Sequence, residues 1–355
     1  MSLPETSRAV VFGGVPRTFE LCDFPLPRPT EGEWLVRVVA MTVCGSDRHT
    51  WEGRRQGPIP TVLGHEMIGE IVAGGEECPR HDRRGRQIEV GCRVTWAIVT
   101  ACGTCPSCVS GYPQKCVVGL KYGHEQAVGR RALSGGLAEY CLLTPGTRVL
   151  VLDDSLPISV ACPANCATAT VAGAIRACCG LNGANLGVVG AGMLGLTACA
   201  MATTSGARVI VSEPDEGRRR RALAFGAVAV FHPDDFASGA AGSLDAVIEV
   251  SGTNAGFLAA LPTVRVGGTL VLIGAVSPSH DVPVSLEGIV RRCLTIRGLH
   301  NYGPDDLIAA VDFLERHHGR YPLAELVSEW FPLSDTTGAF TAAADPACIR
   351  VGIRP

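Results

Sequence analysis

The stretch LGVVGAGMLG at residues 186–195 is the part of the sequence that decides the fold class. Its first four residues are typical of a buried strand, and its glycines then form the pattern G-x-G-x-x-G at the start of an apolar helix. Gly190 permits a tight turn, Gly192 lets the backbone approach a pyrophosphate, and Gly195 lets the helix pack closely against the strand. Free N–H groups at the helix N-terminus would face phosphate. The stretch therefore predicts a dinucleotide-binding strand–turn–helix unit.

An acidic residue stands where such a unit binds the ribose of its cofactor. A second predicted strand, residues 208–212, ends at Glu213, which follows Gly190 by 23 residues. An acid at this place binds the adenosine ribose hydroxyls and repels a 2′-phosphate, so NAD is predicted in preference to NADP. The arginine run at 218–221 could hold a 2′-phosphate, but such a run is usually a solvated helix face. We expect the cofactor to be bound by Gly190, Gly192, Met193, Leu194, Gly195, Glu213 and Arg218.

Short apolar strands continue to alternate with helical stretches after the glycine-rich turn. Examples are residues 245–250, 269–273 and 294–297. This alternation is typical of an α/β domain with a doubly wound parallel sheet.

The two ends of the chain show a different pattern. Residues 34–40 and 67–73 are typical of strands between Pro and Gly turns, whereas the end of the chain is mixed, with one helix near 305–318. Residues 161–177 are rich in small side chains and predict a helix. We therefore predict a β-rich domain over residues 1–160, completed by 299–355, and a nucleotide-binding domain over 161–298.

Composition excludes several classes of protein. The chain has 355 residues, of which 46% are hydrophobic and 18% charged, which suits a folded protein with a sizeable core. Its net charge of −3 gives no electrostatic reason to expect nucleic acid or an anionic membrane as a partner. The N-terminal residues MSLPE do not resemble a signal peptide, and glycines interrupt the apolar residues 186–202. We expect a cytoplasmic protein whose 16 cysteines stay reduced and serve as metal ligands or core residues.

Four of these cysteines are closely spaced. Cys102, Cys105, Cys108 and Cys116 form C-x-x-C-x-x-C, followed after seven residues by the fourth thiol. Four thiolates at this spacing can close a tetrahedral shell without a position for water, which describes a structural zinc site. An iron–sulfur cluster, which also uses four thiolates, is the alternative. Free thiols this close together in an exposed loop would invite oxidation, so unliganded cysteines are the weakest explanation.

A second set of possible metal ligands is dispersed along the chain. Cys44, His65 and Cys166 could supply two thiolates and one imidazole. A catalytic zinc needs about three protein ligands and an open fourth position. Spacing alone does not connect these residues, and each could be an ordinary core residue. Glu66, directly after His65, could bind the metal ion transiently, or it could interact with the ligands without binding the metal itself.

Together, these motifs make the chain resemble the zinc-dependent medium-chain alcohol dehydrogenases. The matching positions are CGSD at 44–47 with His49, GHE at 64–66, the four-cysteine loop, Cys166 with Thr170, and the glycine turn with Glu213. The resemblance implies the fold of that family, a GroES-like β-rich catalytic domain formed by both chain ends around a Rossmann domain. It also implies an NAD-dependent enzyme with two zinc ions per chain, acting on a small molecule as a homo-oligomer, either dimer or tetramer.

The resemblance implies roles for the dispersed metal-ligand candidates and for their neighbours. Cys44, His65 and Cys166 correspond to the ligands of the catalytic zinc. Asp47 corresponds to the residue that orients His65, and Glu66 to the acid beside it.

The resemblance further implies the reaction. A hydride passes between the carbinol carbon of the substrate and the nicotinamide, while the substrate oxygen is activated by a Lewis acid. Ser46 and His49 correspond to the relay that carries the hydroxyl proton to solvent, and Thr170 to a residue beside the nicotinamide.

Local strings alone indicate the substrate. KYGH at 121–124, PANCATAT at 163–170, VGAGMLGL at 189–196 and RRCLTIRGLHNY at 291–302 resemble the phosphonate-catabolism-associated branch of the family. That resemblance implies a small hydroxy- or oxo-phosphonate, an anion that requires arginine, lysine or a helix N-terminus. The candidate contacts are Lys121, Arg130, Arg131, His300 and Asn301. His124 could lie on the substrate side or be structural.

Other classes stay open as alternatives. A polyol or amino-cyclitol is the neutral substrate to weigh against a phosphonate. A zinc-free quinone or enone reductase would share the fold, but it has no reason to keep Cys44, His65 and Cys166. A zinc-binding nucleic-acid protein could use the four-cysteine loop, but the negative net charge and the lack of a basic stripe argue against it.

Overall fold

The computed structural model describes residues 3–178, 180–278 and 280–355. Its strands are β1 (Thr6–Val11), β2 (Glu20–Pro25), β3 (Trp34–Thr42), β4 (Glu66–Gly74), β5 (Arg93–Trp96), β6 (Tyr140–Leu143), β7 (Val149–Val151), β8 (Asn185–Val189), β9 (Arg208–Ser212), β10 (Ala227–Phe231), β11 (Leu244–Glu249), β12 (Val264–Leu272), β13 (Thr295–Gly298), β14 (Val327–Pro332) and β15 (Arg350–Arg354). Its α-helices are α1 (Gly45–Trp51), α2 (Pro106–Val109), α3 (Ile158–Ala161), α4 (Ala167–Ala177), α5 (Met193–Thr204), α6 (Glu216–Ala224), α7 (Pro233–Gly239), α8 (Asn254–Ala260), α9 (Leu286–Arg291), α10 (Pro304–His317) and α11 (Thr336–Ala342).

The first of two compact units consists of the chain up to Cys166 together with Gly303–His318 and Leu323–Pro355. Its main sheet has the strand order β14-β15-β3-β4-β5-β7, and β6 pairs with β3. Apart from the parallel pair β14–β15, the neighbouring strands are antiparallel. The register places Thr42 opposite both Glu66 on β4 and Gly352 on β15. The sheet therefore brings residues from both ends of the chain side by side.

Aromatic side chains fill the core of this first unit. The rings of Trp96, Tyr122 and Phe340 are fully buried. Phe19 and Trp51 pack against Phe340 at ring-centroid distances of 4.9 and 5.5 Å. Because such rings bury large apolar areas, they anchor the elements that carry them. Trp51 is the last residue of α1, so this helix is held against the core at its C-terminal end.

The second unit comprises Ala167–Tyr302 and Gly319–Pro322. Its six-stranded sheet has the order β10-β9-β8-β11-β12-β13, and every neighbouring pair is parallel. The strand order reverses between β8 and β11. In doubly wound sheets a ligand binds at this switch point, beyond the carboxyl ends of the strands, and here the glycine turn directly follows β8. The predicted doubly wound α/β arrangement is confirmed.

Two segments differ from the sequence-based expectations. Residues 161–177 do not form one helix, because α3 ends at Ala161 and α4 begins at Ala167. A 3₁₀ turn covers Cys162–Asn165, and Cys166 has φ −133° and ψ −78°, outside the helical range. Pro163 ends α3, since it lacks the N–H that would bond to the carbonyl of Ser159 in a longer helix. The expectations also omitted strand β10.

Along the chain, the boundaries of the compact units fall at Cys166 and after Tyr302, a few residues beyond the expected positions 160 and 298. Within the described residues, no single helix is long and apolar enough to cross a membrane. One bent pair, Ile158–Asn165 with Ala167–Ala177, meets the length and composition requirements together.

Candidate metal and cofactor sites

Two groups of side chains in the described structure could hold a metal ion, and the first is the dispersed set Cys44, His65 and Cys166. Their donor atoms all lie within 4.8 Å of one another. Cys44 caps α1, His65 precedes β4, and Cys166 follows the 3₁₀ turn. His65 is only 3% exposed, and both cysteines are half-buried. All three belong to the first unit, so residues far apart in sequence form one compact group of donors.

The Asp47 carboxylate holds two members of the dispersed set in place. Its Oδ1 accepts hydrogen bonds from Nδ1 of His65 at 3.1 Å and from the backbone N–H of Gly64 at 3.3 Å. Its Oδ2 accepts one from the backbone N–H of Cys44 at 3.1 Å. Since Nδ1 of His65 donates its proton to Asp47, Nε2 is the ring nitrogen available as a ligand.

Asn165 ties the third member of the set to the sheet. Its side-chain Oδ1 accepts a hydrogen bond from the backbone N–H of Met67 at 3.4 Å, and its Nδ2 donates to the carbonyl of Trp96 at 2.9 Å. The side chain is fully buried, so neither bond competes with water. The break between α3 and α4 therefore presents Cys166 at a fixed distance from β4 and β5.

The charges around the dispersed set favour a divalent cation. A hydrogen bond from the Cys166 thiol lowers the pKa of Cys44 well below its usual value, and His65 and Arg350 lower it further. Burial lowers the pKa of His65, but Asp47 and Cys44 outweigh it and raise that pKa to about 10, so a metal ion bound at Nε2 would displace a proton. Thiolate and imidazole are ligands that zinc prefers, and three of them leave a fourth position for a substrate. The donors present therefore fit a catalytic zinc ion.

Behind the dispersed set lies a buried ion pair between Glu66 and Arg350. Arg350 donates from Nε to Oε2 and from Nη2 to Oε1 of Glu66, both at 3.0 Å. Thr42 donates its hydroxyl to the same carboxylate at 2.7 Å. Nη2 of Arg350 also lies 3.9 Å from Sγ of Cys44. The structure thus places Glu66 as the partner of Arg350, and burial raises the pKa of Glu66 although Arg350 opposes this shift.

Helix α1 carries the two predicted relay residues. Ser46 and His49 are three positions apart, and residues at that spacing are neighbours on a helix surface. Both are half-buried. Burial lowers the pKa of His49, and Arg54 and Arg48 lower it further, so its imidazole is neutral at pH 7 and can accept a proton.

The second group is the loop set Cys102, Cys105, Cys108 and Cys116, whose sulfur atoms also lie within 4.8 Å of one another. The Sγ atoms of Cys102 and Cys108 are 4.0 Å apart, and those of Cys105 and Cys116 are 3.9 Å apart. Ligands at about 2.3 Å from a tetrahedral zinc ion would be separated by about 3.8 Å, close to both distances. The cysteines of a multi-iron cluster bind different iron atoms and lie further apart, so the geometry favours a single ion.

Backbone N–H groups support the thiolates of the loop set. The N–H of Cys105 donates to Sγ of Cys102 at 3.3 Å, and the N–H of Cys102 donates to Sγ of Cys116 at 3.4 Å. Hydrogen bonds from Thr104, first among several, lower the pKa of Cys102 to about 6. Burial raises the pKa of Cys108 to about 11. The loop set therefore mixes a readily ionised thiol with one that would need a metal ion to ionise at neutral pH.

Basic side chains line the dispersed set on the side of His65. The rings of His65 and His124 have centroids 5.0 Å apart, and Nε2 of His124 lies 2.8 Å from Nη1 of Arg55. Lys121 is half-buried, and burial followed by the repulsion of Arg55 lowers its pKa to about 8. Its ammonium also interacts electrostatically with the thiols of Cys166 and Cys44. His124, whose role the sequence left open, therefore lies beside the donor His65, and Lys121 belongs to the same turn as His124.

The remaining predicted substrate contacts are Arg130, Arg131, His300 and Asn301. Arg130 pairs with Glu33 at 2.5 Å and donates to the carbonyl of Arg28, and Arg131 is exposed on the same 3₁₀ turn. His300 and Asn301 belong to the second unit. The role of these four residues as substrate contacts stays a prediction.

The glycine-rich turn in the second unit has the expected geometry. Gly190 has φ +105°, which L-residues with side chains rarely adopt. A Cβ at Gly195 would lie 1.9 Å from the carbonyl oxygen of Gly190, so α5 could not pack as closely with any other residue there. Gly192 caps α5 and has open space around its Cα, and Met193 begins the helix, followed by Leu194.

Glu213 stands at the end of β9 and contacts this turn. Its Oε2 accepts a hydrogen bond from the N–H of Ala191 at 2.7 Å, and its Oε1 accepts one from Asp215 at 3.1 Å. Arg219 donates to the carbonyl of Glu213 at 2.7 Å. Arg218 lies in the first turn of α6, where its N–H donates to the carboxylate of Asp215. Thr170, also in this unit, is 9% exposed on α4.

Sequence reasoning missed three residues that shape the dispersed set: Arg350, Arg55 and Asn165. No local motif marks them. Arg350 follows its partner Glu66 by 284 positions, and Arg55 precedes His124 by 69. An arginine-rich composition also hides two important arginines among many others.

The chain matches two family models and a large set of known proteins. Residues 30–154 match the alcohol dehydrogenase GroES-like domain, and residues 194–316 match the zinc-binding dehydrogenase model. A Mycobacterium tuberculosis protein named "probable alcohol dehydrogenase" is 30% identical over 355 residues, covering 96% of this chain and 94% of that protein.

Further relatives have other substrates in their names or share the fold alone. A geraniol dehydrogenase of Castellaniella defragrans is 29% identical over 334 residues, covering 85% of each chain. The crystal structure of an alcohol dehydrogenase from Thermotoga maritima aligns with a TM-score of 0.91 over 99% of both chains, at 24% identity.

Proposed function

This chain belongs to the zinc-dependent medium-chain alcohol dehydrogenase family, and we propose that Cys44, His65 and Cys166 are the ligands of its catalytic zinc. Membership confirms the predicted reaction class, an NAD(P)-dependent oxidoreductase acting on alcohols or their carbonyl products. The observation that carries the assignment is the grouping of two thiols and one imidazole within 4.8 Å, around an imidazole whose Nδ1 is held by Asp47.

The chemistry divides between the bound groups and the chain. Zinc supplies Lewis acidity at the substrate oxygen, and the nicotinamide exchanges a hydride with the carbinol carbon. The chain orients the donors through Asp47 and Asn165. The Ser46 hydroxyl would accept the substrate's hydroxyl proton while it donates its own proton towards His49. The neutral imidazole of His49 would take up that proton and release one to solvent.

We assign the loop set to a second, structural zinc ion. Four thiolates fill a tetrahedral shell and leave no position for a substrate. The sulfur–sulfur distances of 3.9 and 4.0 Å support one ion among the four thiols.

We assign NAD as the preferred cofactor, bound at Gly190, Gly192 and Gly195. The carboxylate of Glu213 is held against the turn by Ala191, where it would meet the ribose hydroxyls and repel a 2′-phosphate. Arg219 is engaged with the backbone carbonyls of Glu213 and Pro214, which limits its reach towards such a phosphate.

As the substrate we propose a small alcohol or carbonyl compound of the hydroxy- or oxo-phosphonate type. Its support is the resemblance of the strings at 121–124 and 291–302 together with the basic residues beside His65. A neutral polyol is the competing substrate. We further propose that the protein is a cytoplasmic homo-oligomer. The cysteines of the dispersed set and the loop set form no disulfide, which suits a reducing compartment.

A substrate panel followed by NADH absorbance tests this function. The purified protein is given NAD⁺ or NADP⁺ with 2-hydroxyethylphosphonate, sorbitol and 1-propanol, and its zinc content is measured in parallel. We expect about two zinc ions per chain and the highest kcat/KM with NAD⁺ and the phosphonate. Turnover that is equal with zinc-stripped protein would contradict the zinc assignment, and a preference for sorbitol would contradict the substrate.

A further inference from the structure

We propose that Arg55 and Lys121 form an anion subsite, which binds the oxyanion group of a small substrate next to the dispersed set. This inference rests on the proposed dehydrogenase function and deepens it by naming the residues that select an anionic alcohol. The chemistry they recognise is a phosphonate, phosphate or carboxylate, and the experiment below separates these groups.

The orientation of Arg55 follows from the hydrogen bonds of His124. Nδ1 of His124 donates to the carbonyl of Tyr122 at 3.1 Å, so the proton of the neutral ring is on Nδ1. Nε2 therefore accepts the hydrogen bond from Nη1 of Arg55 at 2.8 Å. A guanidinium has five N–H donors, and this bond uses one of them. Tyr122 is fully buried, so the anchor of the arrangement is rigid.

The same contacts place the guanidinium close to the zinc ligands. The ring of His124 lies with its centroid 5.0 Å from that of His65. Arg55 is thus separated from a ligand of the dispersed set by a single side chain. Lys121 lies on the same turn as His124, because the backbone N–H of His124 donates to the carbonyl of Lys121 at 3.0 Å. The charge of Arg55 acts on the Lys121 ammonium, which agrees with this placement. All of these residues belong to the first unit.

Neither cation is neutralised by a carboxylate within the described part of the chain. Exposed arginines elsewhere do have such partners, for example Arg37 with Glu70 at 2.5 Å. The acid nearest to Lys121 in sequence, Glu125, accepts the backbone N–H of Lys121 at 2.8 Å. The acid nearest to Arg55 in sequence, Glu52, pairs with Arg48 and Arg54. The Asp47 carboxylate is already shared among three N–H donors.

Two cations without a carboxylate partner repel each other in a half-buried place. An anion bound between them would offset this electrostatic repulsion. Lost solvation makes charge–charge interaction stronger there than at the surface. A bidentate oxyanion fits the planar fork of arginine, and lysine adds a point charge. An anionic group held at Arg55 and Lys121 would leave the other end of a short molecule, its hydroxyl carbon, beside the zinc ligands.

The test measures binding of methylphosphonate, which cannot be oxidised, by isothermal titration calorimetry. Zinc-loaded protein is saturated with NAD⁺ so that the cofactor's own phosphate site is occupied. We expect Arg55→Gln and Lys121→Met each to weaken binding by about 10- to 100-fold, the loss of a charged hydrogen bond. The matched control Arg37→Gln removes the same charge from an exposed pair and should change binding less than about twofold.

Kinetics with three alcohols identify the chemistry of the anion. 2-Hydroxyethylphosphonate, 3-hydroxypropionate and 1-propanol are compared in each variant. We expect Arg55→Gln to lower kcat/KM for the anionic alcohols and to leave 1-propanol nearly unchanged. The anionic alcohol whose kcat/KM falls more in Arg55→Gln carries the group that the subsite prefers. Arg55→Lys and Lys121→Arg keep the charge and should recover part of the binding, which separates loss of charge from misfolding.

Some results would overturn the subsite. These are methylphosphonate binding that is unchanged in Arg55→Gln and Lys121→Met, or binding that instead responds to Arg131→Gln. The proposed function fails differently. If that function were wrong, no alcohol would be oxidised by any variant, while the effect of Arg55→Gln on methylphosphonate binding would persist.

Discussion

The loop set and the dispersed set use the same thiol chemistry, but the chain builds them in opposite ways. Cys102, Cys105, Cys108 and Cys116 lie within 15 residues, and neighbouring backbone N–H groups support their sulfur atoms. The dispersed set spans residues 44–166 and depends on side chains from other elements, among them Asp47, Asn165 and Arg350. The comparison teaches that four donors can be assembled by local sequence alone, whereas three donors far apart in sequence need support from a folded domain.

The largest effect that would test this contrast comes from Cys166→Ala. Loss of a zinc ligand removes Lewis acidity worth several kcal/mol, so we expect kcat/KM to fall by about 10³-fold or more. Zinc content should fall from about two to about one ion per chain. Steady-state kinetics and metal analysis on the folded protein measure both changes.

The matched control for this change is Cys162→Ala, a fully buried cysteine on the neighbouring 3₁₀ turn that is not part of the dispersed set. It should retain its zinc and most of its activity. Equal losses in the two variants would mean that Cys166 acts through packing and not through the metal.

Cys105→Ser should have the opposite profile. A structural zinc contributes directly to folding, so we expect a loss of about 2 kcal/mol or more and a fall in Tm of about 5 °C. The kcat of the protein that stays folded should change little, because the dispersed set is intact. Differential scanning calorimetry measures the change in Tm, and steady-state kinetics on the same protein measures kcat. A loss of kcat as large as that of Cys166→Ala, with Tm unchanged, would remove the distinction between the sets.

Asp47→Asn tests the buried support of the dispersed set. The amide keeps the size of the side chain but removes the charge that orients His65. Changes of this kind cost about 10- to 100-fold in metal affinity or activity. Competition with a chelator would measure zinc release from the dispersed set, and the loop set serves as the internal control. Equal weakening of both ions would point to general destabilisation of the protein.

The smallest predicted effect is the loss of a threonine hydroxyl, tested by comparing Thr42→Val with Thr104→Val. The hydroxyl of Thr42 donates to the buried carboxylate of Glu66 at 2.7 Å, whereas that of Thr104 lies 3.6 Å from Sγ of exposed Cys102. Thr42→Val should cost about 1 to 2 kcal/mol of stability and lower kcat/KM by a few-fold. Thr104→Val should change neither value measurably. Chemical denaturation and kinetics on both variants make the comparison, and the reverse order of effects would contradict it.

The predicted and observed elements agree best where the pattern is local. The glycine turn, the strands around it and the helix near the C-terminus appear as expected, because apolar periodicity and glycine spacing act on neighbouring residues. The helix expected over residues 161–177 is broken, since Pro163 and the hydrogen bonds of Asn165 outweigh a composition that favours helix. Arg130, one of the arginines expected at the substrate, pairs with Glu33, whereas Arg55, which no sequence pattern indicated, bonds to His124 beside His65.

The sequence by itself determined the nucleotide-binding turn and the four thiols of the loop set, because the residues that form each of them lie close together along the chain. Tertiary structure alone decided which distant side chains join Cys44, His65 and Cys166. Pairing of β3, β4 and β15 places Thr42, Glu66 and Arg350 together. A hydrogen bond to His124, whose ring packs against that of His65, places Arg55 near the set. Contacts across hundreds of residues depend on strand register and burial, and no pattern of neighbouring residues records them.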